Sequence, residues 1–478
     1  MHDLQVLQNG GYRGEGLKKF KLNSALSSFP EKILELGDTL EELDLSDTGL
    51  SSLPANFAAE LPHLKAVHFS NCNFEVFPAE LASCPNLEVV SFRANGMRQI
   101  PEDALPHNLH SLTLTNNNLT SLPASISQCT QLETLLLAGN QLTSLPSSLA
   151  NCTNLALLRL TSNRLPSLPD WLLSLPSLSS LSFSRNPCSS PVINGTSKPP
   201  FGLANIPWTA LQTHNLPPRD PSHPVIPGLW KQSEHYAEDV AIQLFRGGLT
   251  DSGSPAGELA ARVAAGAHES LITVLGQIYD HPDENGDSTS GDREVYHGGI
   301  VTQLVPDCYA PFGRAPSVEG EAGALTQASS SPEEAGTLTA ACAISMLTGL
   351  ANALSHLHRR GISHGDVSAR NILASREDEH ALLGGFSAAT IYGRGHPQAE
   401  QIEKVEVLAF GHLIDDVLEL IASEESEARG VQGLEELREK CAARNVAERL
   451  TFDEIVEDLE GMMGWRGMMR IPTVPGPS

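Results

Sequence analysis

Leucine returns along the first two-fifths of the chain at a nearly constant step. Leu17, Leu40, Leu64, Leu87, Leu109, Leu132, Leu155 and Leu178 lie 23, 24, 23, 22, 23, 23 and 23 residues apart. Three copies read LHSLTLTNNNLTSLP, LETLLLAGNQLTSLP and LALLRLTSNRLPSLP. Leucines spaced by polar or small residues over a few positions predict one short strand per copy, with leucines pointing inward and the residues between them outward. One such unit cannot bury its apolar face alone, so the copies are expected to stack into a solenoid with a shared core. Asn95, Asn117, Asn140, Asn163 and Asn186 fall where each chain turn leaves its strand, and an amide there can satisfy backbone groups that the bend leaves unpaired. The Leu-Pro that follows stops the strand and starts the return along the convex side. Cys84, Cys129 and Cys152 share one repeat position. Small stacked core residues explain them more simply than a metal or redox role.

This is the leucine-rich-repeat pattern LxxLxLxxNxL, in eight in-phase copies. Its outward positions carry Glu41, Glu42, Asp44, Lys65, His68, Glu88, Arg93, His110, Glu133 and Arg159. Mixed charge on that face makes a recognition surface without a catalytic constellation. Because the array resembles known protein-binding platforms, the resemblance implies a protein partner on the concave face.

Beyond the repeats the periodicity changes. The region 191–230 is dense in Pro, Ser and Asn and reads as a linker. An alternating segment EDVAIQLFRG (238–247) predicts a strand, GELAARVAAGAHESLITVLG (257–276) a helix running into a strand, and GGIVTQLVPDCYAPF (298–312) another strand. Leu347, Leu350, Ala351, Leu354 and Leu357 mark an apolar-periodic helix that delivers a tight loop. Two acidic or Ser-rich stretches, 279–296 and 317–336, read as loops, and the first lacks the register of a calcium-binding loop.

Composition narrows the class. The chain has 478 residues and a formal charge of −26, which disfavours wrapping nucleic acid or lying on an anionic membrane. No run of 18 apolar residues predicts a membrane span, and the N-terminal stretch lacks the apolar core of a signal peptide. Eight cysteines without zinc spacing read as reduced thiols of an intracellular, cytoplasmic protein.

The second half resembles a protein kinase domain over most of residues 236–462, and the whole chain resembles intracellular leucine-rich-repeat proteins with a C-terminal kinase domain. The resemblance is carried by MLTGLANALSHLHRRGISHGDVSARNIL (346–373), by VAIQLF, by ALLGGF and by CAARNVAERLTFDEIVEDL (441–459). It implies an α+β two-lobed kinase-like domain over 231–465, after a repeat domain at 1–190 and the linker, with a C-terminal tail at 466–478. Asp366 matches the catalytic base, Arg370 lies on the same loop, and Asn371 matches a metal-binding Asn. Gln243 stands at the lysine that holds nucleotide phosphates, and Glu258 at its glutamate partner. Gly385 stands where the principal metal-binding Asp belongs, and Gly365 replaces the loop arginine. Glu406 is expected to open the helix EVLAFGHLIDDVLEL, HPQAE (396–400) is a remnant of the substrate platform, and Arg449 has Glu400 and Glu403 as candidate partners. No GxGxxG precedes VAIQLF.

Phosphoryl transfer depends on placed charge, and losing one stabiliser costs about 3–4 kcal/mol. With the lysine and the main metal carboxylate both absent, the sequence favours a pseudokinase acting as a scaffold or signalling regulator, with ATP and Mg as doubtful ligands. The alternative is a weakly active kinase that recruits substrates through its repeats, for which Asp366 and Asn371 argue.

Overall fold

The structure is a computed structural model that describes residues 2–189, 203–213, 225–282, 296–312, 338–422 and 429–464. The stretch 317–336, residues 283–295 of the stretch 279–296, and the tail from 466 onward lie outside the described residues.

Each predicted repeat contributes one three-residue strand: β1 (Lys19–Lys21), β2 (Glu42–Asp44), β3 (Ala66–His68), β4 (Val89–Ser91), β5 (Ser111–Thr113), β6 (Thr134–Leu136), β7 (Leu157–Arg159) and β8 (Ser180–Ser182). They form one parallel sheet in chain order. The registers align Phe20, Leu43, Val67, Val90, Leu112, Leu135, Leu158 and Leu181 in a single buried row. A short helix α1 (Leu4–Gln8), capped by the Asp3 carboxylate, precedes the first strand. On the return path the chain makes one turn of α-helix at α2 (Phe57–Glu60) and tighter 3₁₀ turns directly after Pro78, Pro123 and Pro146. Proline fits there because its fixed φ suits the residue before a helical turn and its missing N–H costs nothing.

The asparagines do what their positions predict. The Asn140 amide donates to the carbonyls of Leu114 (2.9 Å) and Leu137 (3.0 Å), and its oxygen accepts from the Leu119 N–H (3.0 Å). Asn163 and Asn186 repeat the same three bonds one and two coils on. Cys129 and Cys152 are buried, and each thiol donates to a carbonyl of the preceding coil.

The second half begins with a six-stranded sheet ordered β10-β11-β12-β14-β13-β9. Its members are β9 (Ala204–Pro207), β10 (Leu211–Thr213), β11 (Val225–Lys231), β12 (Ala237–Arg246), β13 (Val274–Tyr279) and β14 (Tyr296–Gln303). Here the sequence expectation needs correction. The segment read as a linker, 191–230, supplies β9, β10 and most of β11, so it closes both edges of this sheet. Its polar and proline content hid the strands because edge strands tolerate proline and one-sided exposure. Helix α3 (Pro255–Ala265), capped by Ser254, packs against β12 and β14.

A helical layer follows: α4 (Ala340–Arg359), α5 (Ala399–Leu418), α6 (Arg429–Cys441) and α7 (Phe452–Gly464). Four small strands lie between α4 and α5: β16 (Ile362–Ser363), β17 (Ile372–Ser375), β18 (His380–Leu383) and β19 (Thr390–Ile391), and β15 (Ala310–Pro311) pairs with β17. Helix α4 is long and apolar enough to cross a membrane by length and composition, but most of its side chains are buried against α7, β18 and α6. Helix α5 begins seven residues before Glu406, so Glu406 sits inside the helix and does not open it. HPQAE therefore leads into α5, with Ala399 and Glu400 in its first turn.

The two halves share a core. Tyr392, Ile402 and Val405 belong to the same buried cluster as the repeat leucines, with Ala399 packed against it.

Candidate functional site at the loop after helix α4

Helix α4 ends at Arg359, and β16 leads directly into the loop His364-Gly365-Asp366. Two buried groups hold the loop from behind. The Glu406 carboxylate accepts from the Gly365 N–H, and its other oxygen lies 2.7 Å from His358 Nε2. His358 Nδ1 lies 3.0 Å from the Tyr392 hydroxyl, and its ring stacks on Phe452. Burial works against the charge on Glu406, but the His358 hydrogen bond, the nearby imidazoles and the Gly365 N–H hold its carboxyl below the usual range. His364 Nε2 lies 2.6 Å from the Gly384 carbonyl, which ties the loop to the turn after β18.

Asp366 is 9 % exposed, and two side chains donate to its carboxylate. Arg370 Nη2 donates to both oxygens at 2.8 Å, and Asn371 Nδ2 to one at 3.0 Å. Arg159, from β7 of the repeats, brings Nη2 to 3.7 Å. Burial opposes ionisation of Asp366, yet the charges of Arg159 and Arg370 outweigh it and hold the carboxyl below its ordinary value. A proton acceptor needs an accessible lone pair, and Arg370 and Asn371 already engage part of this carboxylate.

Sequence reasoning brought Asp366, Arg370, Asn371 and Gly385 together, and the structure does so. Gly385 adopts a left-handed backbone (φ 69°, ψ 47°), and a Cβ there would overlap the Asn371 amide oxygen. Asn371 therefore fills the space that a side chain at 385 would need, and its nitrogen is spent on the Asp366 carbonyl (2.7 Å) and carboxylate. Gln243 and Glu258 lie on β12 and α3 and are each 5 % exposed. Glu258 accepts from Arg262 Nε on its own helix (3.2 Å), and among the described residues no hydrogen bond joins it to Gln243. The Arg262 guanidinium lies over the Phe386 ring at 5.6 Å, so α3 is tied to the segment after β18 by stacking.

Sequence reasoning missed that the repeats close this loop. Arg159 is 2 % exposed, and its Nη1 donates to the Gly365 carbonyl at 3.0 Å. Ser180 on β8 donates to the same carbonyl at 2.6 Å, and the Phe183 N–H to Thr390 Oγ1 at 3.0 Å. Gly365 has φ 77°, and a Cβ would overlap the Ala388 carbonyl and crowd that of Leu181 on β8. Further along, Arg93 and Asn116 donate to the Leu249 carbonyl (3.4 and 3.2 Å), and Arg93 pairs with Asp251 (3.7 Å). The outward face, read as a partner surface, is thus occupied by the chain's own second half from about β4 to β8. The expected pairing of Arg449 with Glu400 or Glu403 is also replaced. Arg449 donates to the carbonyls of Pro176 (2.6 Å), Ala443 (3.0 Å) and Lys404 (3.1 Å). Glu400 pairs with Lys404, and Glu403 caps the Phe452 N–H. The one visible signal was Gly365 itself, a residue without a side chain where the resemblance places an arginine.

The eight aligned strands, the asparagine ladder and the buried leucine row define a leucine-rich-repeat solenoid. Comparison agrees: the family model described as leucine rich repeat matches residues 107–165. Among curated proteins the chain is similar to the volume-regulated anion channel subunit LRRC8A of Homo sapiens, 29% identical over 120 residues, covering 24% of this chain and 15% of that protein. It is similar also to subunit LRRC8B of Homo sapiens, 29% identical over 127 residues, covering 26% of this chain and 16% of that one. The chain thus spans about 15% of the length of the curated relatives it matches. Solved structures that resemble it include a leucine-rich-repeat protein of Leptospira interrogans, with 25% identity and a TM-score of 0.33 over 39% of this chain and 53% of that one. A plant peptide hormone receptor, RGFR1 in complex with RGF2, has 27% identity and a TM-score of 0.32 over 36% and 28%.

Proposed function

We propose that this leucine-rich-repeat protein carries a kinase-like C-terminal half that has lost phosphoryl transfer and serves as a protein-binding scaffold or signalling regulator. The observation that carries the reading is the buried carboxylate of Asp366, hydrogen-bonded by Arg370 and Asn371 and faced by Arg159. The residues present do not fit a nucleotide with magnesium. Gln243 brings no positive charge to a triphosphate, Gly385 brings no carboxylate to a metal, and Asn371 is committed to Asp366. Eight free cysteines support a location inside the cell.

The protein partner belongs on the part of the outward face that the second half leaves uncovered, around β1 to β3. There Lys18 and Lys65 both pair with Glu41, Lys19 pairs with Glu42, and Lys21 with Asp44. Such exposed pairs cost little to rearrange around an incoming surface.

Incubation with labelled ATP and either magnesium or manganese tests the reading. The expected result is no transfer to the protein itself or to a generic protein substrate. Transfer that disappears in Asp366→Ala would establish the weakly active kinase instead. A melting temperature unchanged by millimolar ATP, with and without metal, is the companion expectation.

A further inference from the structure

The contacts between the repeats and the second half fall into two chemically different zones. On the α5 side apolar packing dominates: Tyr392, Ile402 and Val405 are buried within the repeat cluster, flanked by hydrogen bonds from Gln398 to Leu168 and Asp170 and from Arg449 to Pro176. On the loop side they are polar. Arg159 and Ser180 meet Gly365 and Asp366, while Arg93 and Asn116 meet Leu249 and Asp251. Polar groups that separate regain water, so their net loss is small, whereas separated apolar surface has no such compensation. Glycines permit the polar zone to close. Gly365 has no room for a side chain beside Leu181 and Ala388, and Gly139 none beside Leu249 and Asn116.

We infer that the outward face from β4 to β8 is an internal docking surface with a hinge at α5 and a latch at Arg159 and Arg93, which shuts the 364–366 loop against outside partners. The latch bridges three otherwise separate elements. It grips the loop, the 249–253 segment that leads into the Ser254 cap of α3, and through Thr390 the strand that returns to α5. Opening it releases the Gly365 carbonyl, removes Arg159 from Asp366 and exposes the concave face of β4–β7 together, while the α5 side stays packed on β8. A partner at either surface therefore competes with the same intramolecular contact. The inference stands on the geometry of the interface and does not require that the loop retain or lack chemistry.

Amide hydrogen exchange on the full chain tests it, reading 249–253 and 364–366 against 402–405. Two variants are compared with the unaltered protein: Arg159→Ala, which removes the latch charge, and Ser180→Arg, which wedges the interface from a half-buried position outside the repeat core. Both variants should exchange at least tenfold faster at 249–253 and 364–366, with 402–405 unchanged, and 0.5 M salt should move the unaltered protein in the same direction. Unchanged protection at 364–366 in Ser180→Arg overturns the latch. An equal rise at 402–405 overturns the hinge. Should Arg159→Ala fail to fold, Ser180→Arg alone decides. ATP turnover enters none of these readouts, so the outcome is separate from the catalytic question.

Discussion

Glu406 is the residue whose removal should do most damage to the loop for the smallest change in surface. It is buried on a helix and accepts from two donors that have no route to water, the Gly365 N–H and His358 Nε2. Glu406→Ala leaves both without an acceptor. An unsatisfied buried donor costs about 1–3 kcal/mol, and breaking a buried pair from one side about 3–5 kcal/mol, so a loss of about 3–5 kcal/mol is expected. Glu406→Gln keeps a carbonyl for Gly365 and a polar partner for His358, and should cost about 1–2 kcal/mol. The two variants also differ from the parent in acid. The Glu406 carboxyl is held below its ordinary value of 4.5, so its contribution is fully present above that pH and is lost as pH falls through the lower folded value. In Glu406→Gln the fall in stability below about pH 4.5 should be shallower. Urea denaturation followed by circular dichroism at pH 7, 5 and 4 measures all three quantities. A cost below about 1 kcal/mol for the alanine variant, or equal costs for alanine and glutamine, would refute the reasoning.

Other expectations follow from the same structure. Asn140→Ala removes three backbone partners at once and should lower stability by about 2–4 kcal/mol, while Asn118→Ala, which loses two exposed bonds, to the Gly96 carbonyl and from the Gln141 amide, should stay within about 0.5 kcal/mol in the same denaturation assay. Burial pushes the Cys129 and Cys441 thiols up to about 12 and those of Cys84, Cys152 and Cys188 up to about 11, so in the folded protein at pH 8 a thiol-colour reagent should titrate the exposed Cys308 first and these five only on unfolding. Arg449→Met strips charged donors from three carbonyls, one of them on the repeats, and should destabilise by about 3 kcal/mol; a neutral effect would show that the link to Pro176 contributes nothing.

The sequence by itself determined the solenoid down to its strands. A 23-residue leucine step permits one register, because a one-residue slip would turn every leucine out to water, and each asparagine has its partners within its own and the neighbouring coil. It determined the existence of β12, α3 and α4 for the same local reason, since alternation and helical periodicity are written within a dozen residues. It also placed Asp366, Arg370, Asn371 and Gly385 together, because one short loop and one turn carry them.

What only the tertiary structure decided lies between segments far apart in the chain. Arg159 looked like one outward residue among ten, and nothing near it in sequence says that Asp366, 207 positions later, is its counter-ion. The strands at 204–213 carry no periodicity because each pairs with one neighbour at a sheet edge, so their identity comes from β13 and β11. Gly365 shows the difference most clearly. As a letter it is a missing arginine; in three dimensions it is the gap through which the repeats reach the loop, and a side chain there would have no space.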